Sequence, residues 1–69
     1  MDIKQDIGKR VRMLRKQRDY SQEYFSQLCD LDRTYIASIE QGKRNVSIVN
    51  LEKIAKAFDL TLSELLKDI

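Results

Sequence analysis

Apolar residues recur three and four positions apart in every segment of this chain, and that spacing constrains the fold more than any other feature. Ile3, Ile7, Val11 and Leu14 form one stripe, and Phe25, Leu28 and Cys29 a second. Leu51, Ile54, Ala55 and Phe58 form a third, followed by Leu62, Leu65 and Leu66. Such spacing gathers apolar side chains on one side of a helix, whereas a half-buried strand would alternate every second residue. A lone cysteine permits no internal disulfide, and the absence of histidine removes the common zinc patterns. No metal or cofactor is expected, so the core must come from packed short helices alone. The 69 residues are enough for one domain, 1–69. A domain of this size buries only about 60% of the surface its unfolded chain exposes, so modest stability is expected.

Polar punctuation divides the stripes into five helices. Asp2 can cap a first helix running to about Arg18, with Asp6 early in it, where a carboxylate suits the helix dipole. Gly8 inside that helix costs roughly 1 kcal/mol relative to Ala, and the close approach of another helix would justify it. After Asp19-Tyr20, Ser21 caps a second helix with Glu23 in its first turn, leaving Gln22, Glu23 and Gln27 in solvent. Asp30-Leu31-Asp32 is the turn: Leu31 plugs the core, and Asp32 caps a third helix from Arg33 to about Gln41. Gly42 suits the left-handed position that ends it. Ser47 caps a fourth helix to about Phe58, and Thr61-Leu62-Ser63-Glu64 fits a capping box opening the last. The expected fold is all-α.

The stretch Ser21–Gly42 carries the functional hint. Arg33, Thr34 and Ser38 fall on one face of the third helix, Ile36 and Ile39 on another. A helix held by so narrow an apolar stripe is suited to presenting hydrogen-bonding side chains to a partner, and DNA fits. Residues 1–18 carry a balance of +5 and the remaining 51 residues −3. Charge alone does not decide between a solvated helix face and a nucleic-acid patch. Catalysis is disfavoured: Cys29 reads as a small core residue, and no carboxylate pair sits on a predicted cleft. Nothing resembles a signal peptide, and no apolar run approaches the roughly 20 residues of a membrane span, so a cytoplasmic setting is expected. The competing reading is a helical protein-interaction module. That module would show an apolar anchor on the Arg33 face, and none is evident.

The string SQEYF, continued by LDRTYIASIEQGKRNVSIVNLEKIAKAFDLTLSELL, resembles the lambda-repressor-like (Xre/Cro) helix-turn-helix family. The likeness extends to GKRVRMLR in the first helix and so covers nearly the whole chain. Within the family, LDRTYI followed by Arg44-Asn45 is similar to the controller proteins of restriction–modification systems. Two positions depart from the pattern. Asp30 stands where glycine is usual in the turn, at some strain, and Ser26 where alanine is usual.

The resemblance implies a five-helix, sequence-specific regulator of transcription that binds double-stranded DNA, with the third helix in the major groove. Arg33 then reaches a guanine O6/N7 pair, Thr34 offers a hydroxyl or methyl to thymine, and Ser38 makes a smaller base contact. Ser21 and Gln22 present free amides to a phosphate, Lys43, Arg44 and Asn45 flank the groove, and Arg10 is a lesser phosphate candidate. Tyr35 either sends its hydroxyl to a phosphate or simply shields the core. Arg15 and Glu40 match family positions that form an ion pair between the first and third helices. A homodimer on a pseudo-palindromic site is expected, with half-sites about 10–10.5 bp apart. Phe58, Leu60, Leu62, Leu66 and Ile69 either form its surface or close the core. An activator would also need a surface for RNA polymerase, and Glu23 and Asp32 are available for one.

Overall fold

Each helix begins at a side chain that accepts a hydrogen bond from its own first turn. The computed structural model describes residues 2–69. Among them run α1 (Ile3–Gln17), α2 (Gln22–Cys29), α3 (Arg33–Glu40), α4 (Ile48–Ala57) and α5 (Leu62–Leu65), with no strand. Asp2 accepts from the Lys4 amide at 2.9 Å, Ser21 from Tyr24 at 3.0 Å and Asp32 from Thr34 at 3.1 Å. Ser47 accepts from Asn50 at 3.1 Å, and Thr61 and Glu64 bond reciprocally at 2.9 and 3.1 Å. Each such cap contributes about 1 kcal/mol. The helices α1, α3 and α4 end one residue earlier than the spacing suggested, with Arg18, Gln41 and Phe58 as their caps.

The C-terminal ends of α1 to α4 are closed by left-handed residues, and three of these are aspartates. Asp19, Asp30 and Asp59 have φ of 56°, 57° and 59°, and Gly42 has 75°. Each lets the next amide reach back to a helical carbonyl, as Leu31 does to Ser26 at 3.0 Å and Lys43 to Ser38 at 3.0 Å. An L-residue in this region is strained, and a carboxylate at the negative end of a helix dipole is unfavourable as well. The strain expected at Asp30 therefore recurs after α1 and α4, and again at Asp68 beyond α5, where φ is 65°.

The five elements close on one core, with Val11, Phe25, Ile36, Ile54, Ala55 and Leu65 at its centre. The rings of Phe25 and Phe58 stack there at 4.3 Å. Two stripe residues, Ile3 and Leu28, face solvent. Ile3 is 61% exposed, because α1 turns Gly8, Val11, Leu14 and Arg15 inward and Ile3 lies about 90° round the helix from that face. Leu28 is 42% exposed: α2 buries Phe25, Ser26 and Cys29 instead, and Ser26 satisfies its hydroxyl on the Glu23 carbonyl at 2.7 Å.

Cys29 is buried, and desolvation pushes its thiol up from 9.0 to about 12. Two results are expected. Reaction with a thiol reagent near pH 8 should proceed only as fast as the chain unfolds. Above pH 9 the unfolded thiol loses its proton while the folded one keeps it, so stability should fall as pH rises from 9 toward 12. Denaturant titrations of wild type and Cys29→Ala across that range check the second: the variant should lack this part of the slope.

Candidate nucleic-acid interface

The packing and the ion pair that hold α3 against α1 are on its inner side. Ile36 and Ile39 anchor it in the core. Gly8 lets the backbone of α1 come against its C-terminal half. A Cβ at Gly8 would collide with the Ile39 carbonyl oxygen and lie 2.9 Å from that of Glu40. Arg15 of α1 then grips Glu40 with two parallel bonds, Nε to Oε2 at 2.7 Å and Nη2 to Oε1 at 2.9 Å. Its Nη1 donates to the Tyr20 carbonyl at 2.8 Å, so one guanidinium ties α1, the α1–α2 turn and α3 together. The bond to Glu40 raises the Arg15 pKa still further above its ordinary value, holding the group charged. Gln22 joins the same carboxylate through Nε2 at 3.1 Å. Its side chain is therefore half-buried and tied to α3, not left in solvent as the spacing suggested.

With the inner side so held, Arg33 and Thr34 are exposed on the first turn of α3 and Ser38 is half-buried one turn later. The amides of Gln22 and Glu23 precede the first helical bond of α2, from Phe25 to the Ser21 carbonyl at 3.0 Å. The N-terminus of α2 thus presents N–H groups and the positive end of a dipole beside that face. Two helices joined by a left-handed turn, the second with a polar outer face, make a helix-turn-helix.

Comparison with known proteins agrees. The helix-turn-helix family profile matches residues 11–65. The control protein C.MunI of a Mycoplasma species is 58% identical over 69 residues, spanning 99% of this chain and 93% of its own. The crystal structure of the restriction–modification controller protein C.AhdI from Aeromonas hydrophila superposes with a TM-score of 0.90. That likeness is at 41% identity and covers 96% of this chain and all of the other. The chain belongs to the restriction–modification controller proteins. A further solved structure, the master regulator for biofilm formation SinR in complex with DNA, has a TM-score of 0.81 at 32% identity. It covers 88% of this chain and 98% of its own.

In this controller-family chain the segment after α3 continues the polar surface. Lys43, Arg44 and Asn45 are exposed beyond Gly42, and the Arg44 guanidinium sits over the Tyr35 ring at 5.2 Å. Tyr35 itself is half-buried, and its hydroxyl accepts a bond from Asn50 Nδ2 of α4 at 3.0 Å. Asn50 was not anticipated. Its polar side chain in the first turn of a helix reads as solvated, and only the fold brings it to a residue fifteen positions earlier.

The structure corrects one expectation and decides an open one. Arg10 does not face a nucleic-acid surface: Nε donates to the Leu65 carbonyl and Nη2 to that of Glu64, both at 2.9 Å, which fastens α5 to α1. Arg18, unassigned in the sequence, likewise bonds the Leu14 and Phe58 carbonyls at 3.2 and 3.3 Å and lies over the Phe58 ring. Three of the seven basic residues in 1–18, Arg10, Arg15 and Arg18, are therefore tied into the fold, while Lys9, Arg12 and Lys16 are exposed. Phe58 offers nothing to a dimer, because its ring is buried against Phe25. Leu60, Leu62 and Leu66 are partly buried against the core, Ile69 of the same set is 44% exposed, and Ile48 (63%) and Val49 (61%) are among the other exposed apolar residues. Among the described residues, no helix is long and apolar enough to cross a membrane.

Proposed function

We infer that residues 1–69 act as one unit that binds double-stranded DNA in a sequence-specific way, with α3 in the major groove, to control restriction–modification genes. The observation that carries this reading is the polar outer face of α3, exposed at Arg33 and Thr34 and half-buried at Ser38, on a helix whose opposite side is fixed by Ile36, Ile39 and the Arg15–Glu40 pair. Arg33 would pair with a guanine edge, worth about 1–3 kcal/mol of discrimination, while Thr34 and Ser38 contact neighbouring bases. Ser21 and Gln22 would offer backbone amides to one phosphate, and Tyr35, Lys43, Arg44 and Asn45 would hold the backbone on the other side of the groove. The names of C.MunI and C.AhdI support the controller role, and the DNA complex of SinR supports DNA as the partner.

One α3 reads too few base pairs for selectivity, so the reading includes a homodimer on a pseudo-palindrome. Ile48, Val49 and Ile69, with the edges of Leu60, Leu62 and Leu66, supply apolar surface for it. The exposed Glu23 and Asp32 would be the contacts to RNA polymerase in activation. Selection of bound sites from a random DNA pool tests the whole reading. The expected product is an inverted repeat whose half-sites are separated by about 10–10.5 bp or a multiple. A pool that stays random after repeated rounds would overturn it.

A further inference from the structure

The Tyr35 hydroxyl is one donor and one acceptor, and Asn50 occupies only the accepting side. Because Nδ2 is the donor in the 3.0 Å bond, the phenolic proton is not used in that contact. The same ring lies under the Arg44 guanidinium at 5.2 Å, so the position of the ring favours one placement of the arginine. Asn50 stands in the first turn of α4, where the Ser47 cap fixes its backbone amide at 3.1 Å. It is therefore a rigid post from which the amide group reaches α3.

We propose that Asn50 is a positioning residue for DNA binding: by donating to the Tyr35 hydroxyl it leaves that hydroxyl free to donate to a backbone phosphate, and it steadies the ring on which Arg44 rests. Asn50 touches no nucleic acid in this arrangement and acts through Tyr35. The proposal rests on the DNA-binding reading above and adds the group that sets the polarity of one phosphate contact. An aspartate at this position would still bond Tyr35 but could only accept. The phenolic proton would then turn inward, and the phosphate would meet an oxygen lone pair.

The test is a double-mutant cycle, Asn50→Asp and Tyr35→Phe, read by anisotropy on a DNA site recovered from the random pool, with denaturant melts alongside. A carboxylate near DNA also repels phosphate, and that effect persists with phenylalanine at position 35. The polarity effect vanishes there. In the tyrosine background Asn50→Asp should weaken binding about tenfold more than in the phenylalanine background, at unchanged folding stability. Asn50→Gln, which can still donate, should retain more affinity than Asn50→Asp. An equal loss in both backgrounds, or none, would overturn the role of Asn50 while leaving DNA binding by wild type intact. Failure of the wild-type chain to bind any selected site would instead remove the underlying reading.

Discussion

Replacing Glu40 with alanine should destabilise the fold by about 3–5 kcal/mol, because it strands the Arg15 guanidinium in a desolvated site. Arginine cannot shed its proton to escape, and only the Tyr20 carbonyl at 2.8 Å remains as its partner. Arg15→Ala should be comparably harmful, since the Glu40 side chain is 2% exposed and would keep only the Gln22 amide. The pair Arg15→Met with Glu40→Leu removes both charges and keeps the volume, so it should be less damaging than either single change. The coupling between the sites should be about 1–3 kcal/mol, measured by urea titration of the cycle Arg15→Ala and Glu40→Ala. Additive losses would show that the two-pronged contact contributes little beyond its parts. Stability for a chain of this length is on the order of 3–10 kcal/mol, so the singles should sit near the edge of folding.

Gly8→Ala should be the second severe lesion, and its sign runs against local propensity. In an isolated helix alanine would stabilise by about 1 kcal/mol. Here the added methyl meets the Ile39 carbonyl oxygen and comes within 2.9 Å of the Glu40 oxygen, both backbone atoms of α3. Neither can rotate away as a side chain could, so α3 must move off α1. Overpacking of this kind costs about 1–3 kcal/mol or more, which outweighs the propensity gain. A thermal melt should show a lower midpoint for the variant, and DNA binding should weaken further still, because the displaced helix carries Arg33. A raised midpoint would mean that the two helices do not approach as described.

These lesions mark how far the sequence was legible. Helix starts were readable because each depends on a side chain within three residues of the bond it makes, as at Ser21 and Thr61. Most of the core followed from spacing, yet Leu28 did not. A short helix has too few turns for periodicity to fix its inward face, and the burial of Ser26 rotated that face away from Leu28. Cationic side chains were the least legible class. Arg10 looks like a phosphate ligand in a basic run and Arg18 has no evident role, but both close helix ends more than 35 residues away. Asn50 was missed for the same reason: its partner is set by the packing of α4 against the rest of the fold, which no local pattern encodes. The outer face of α3 was readable because its residues are close in sequence and only their common side had to be inferred.

If the outer face of α3 reads bases, Arg33→Ala shows it most directly. The measurement is binding of wild type and variant to a selected site and to mixed-sequence DNA, across a series of salt concentrations. The variant should lose about 1–3 kcal/mol of preference for the site at the base pair Arg33 reads while keeping its binding to mixed DNA. A uniform loss on every sequence, accompanied by a shallower dependence on salt, would contradict base reading and make Arg33 a phosphate contact.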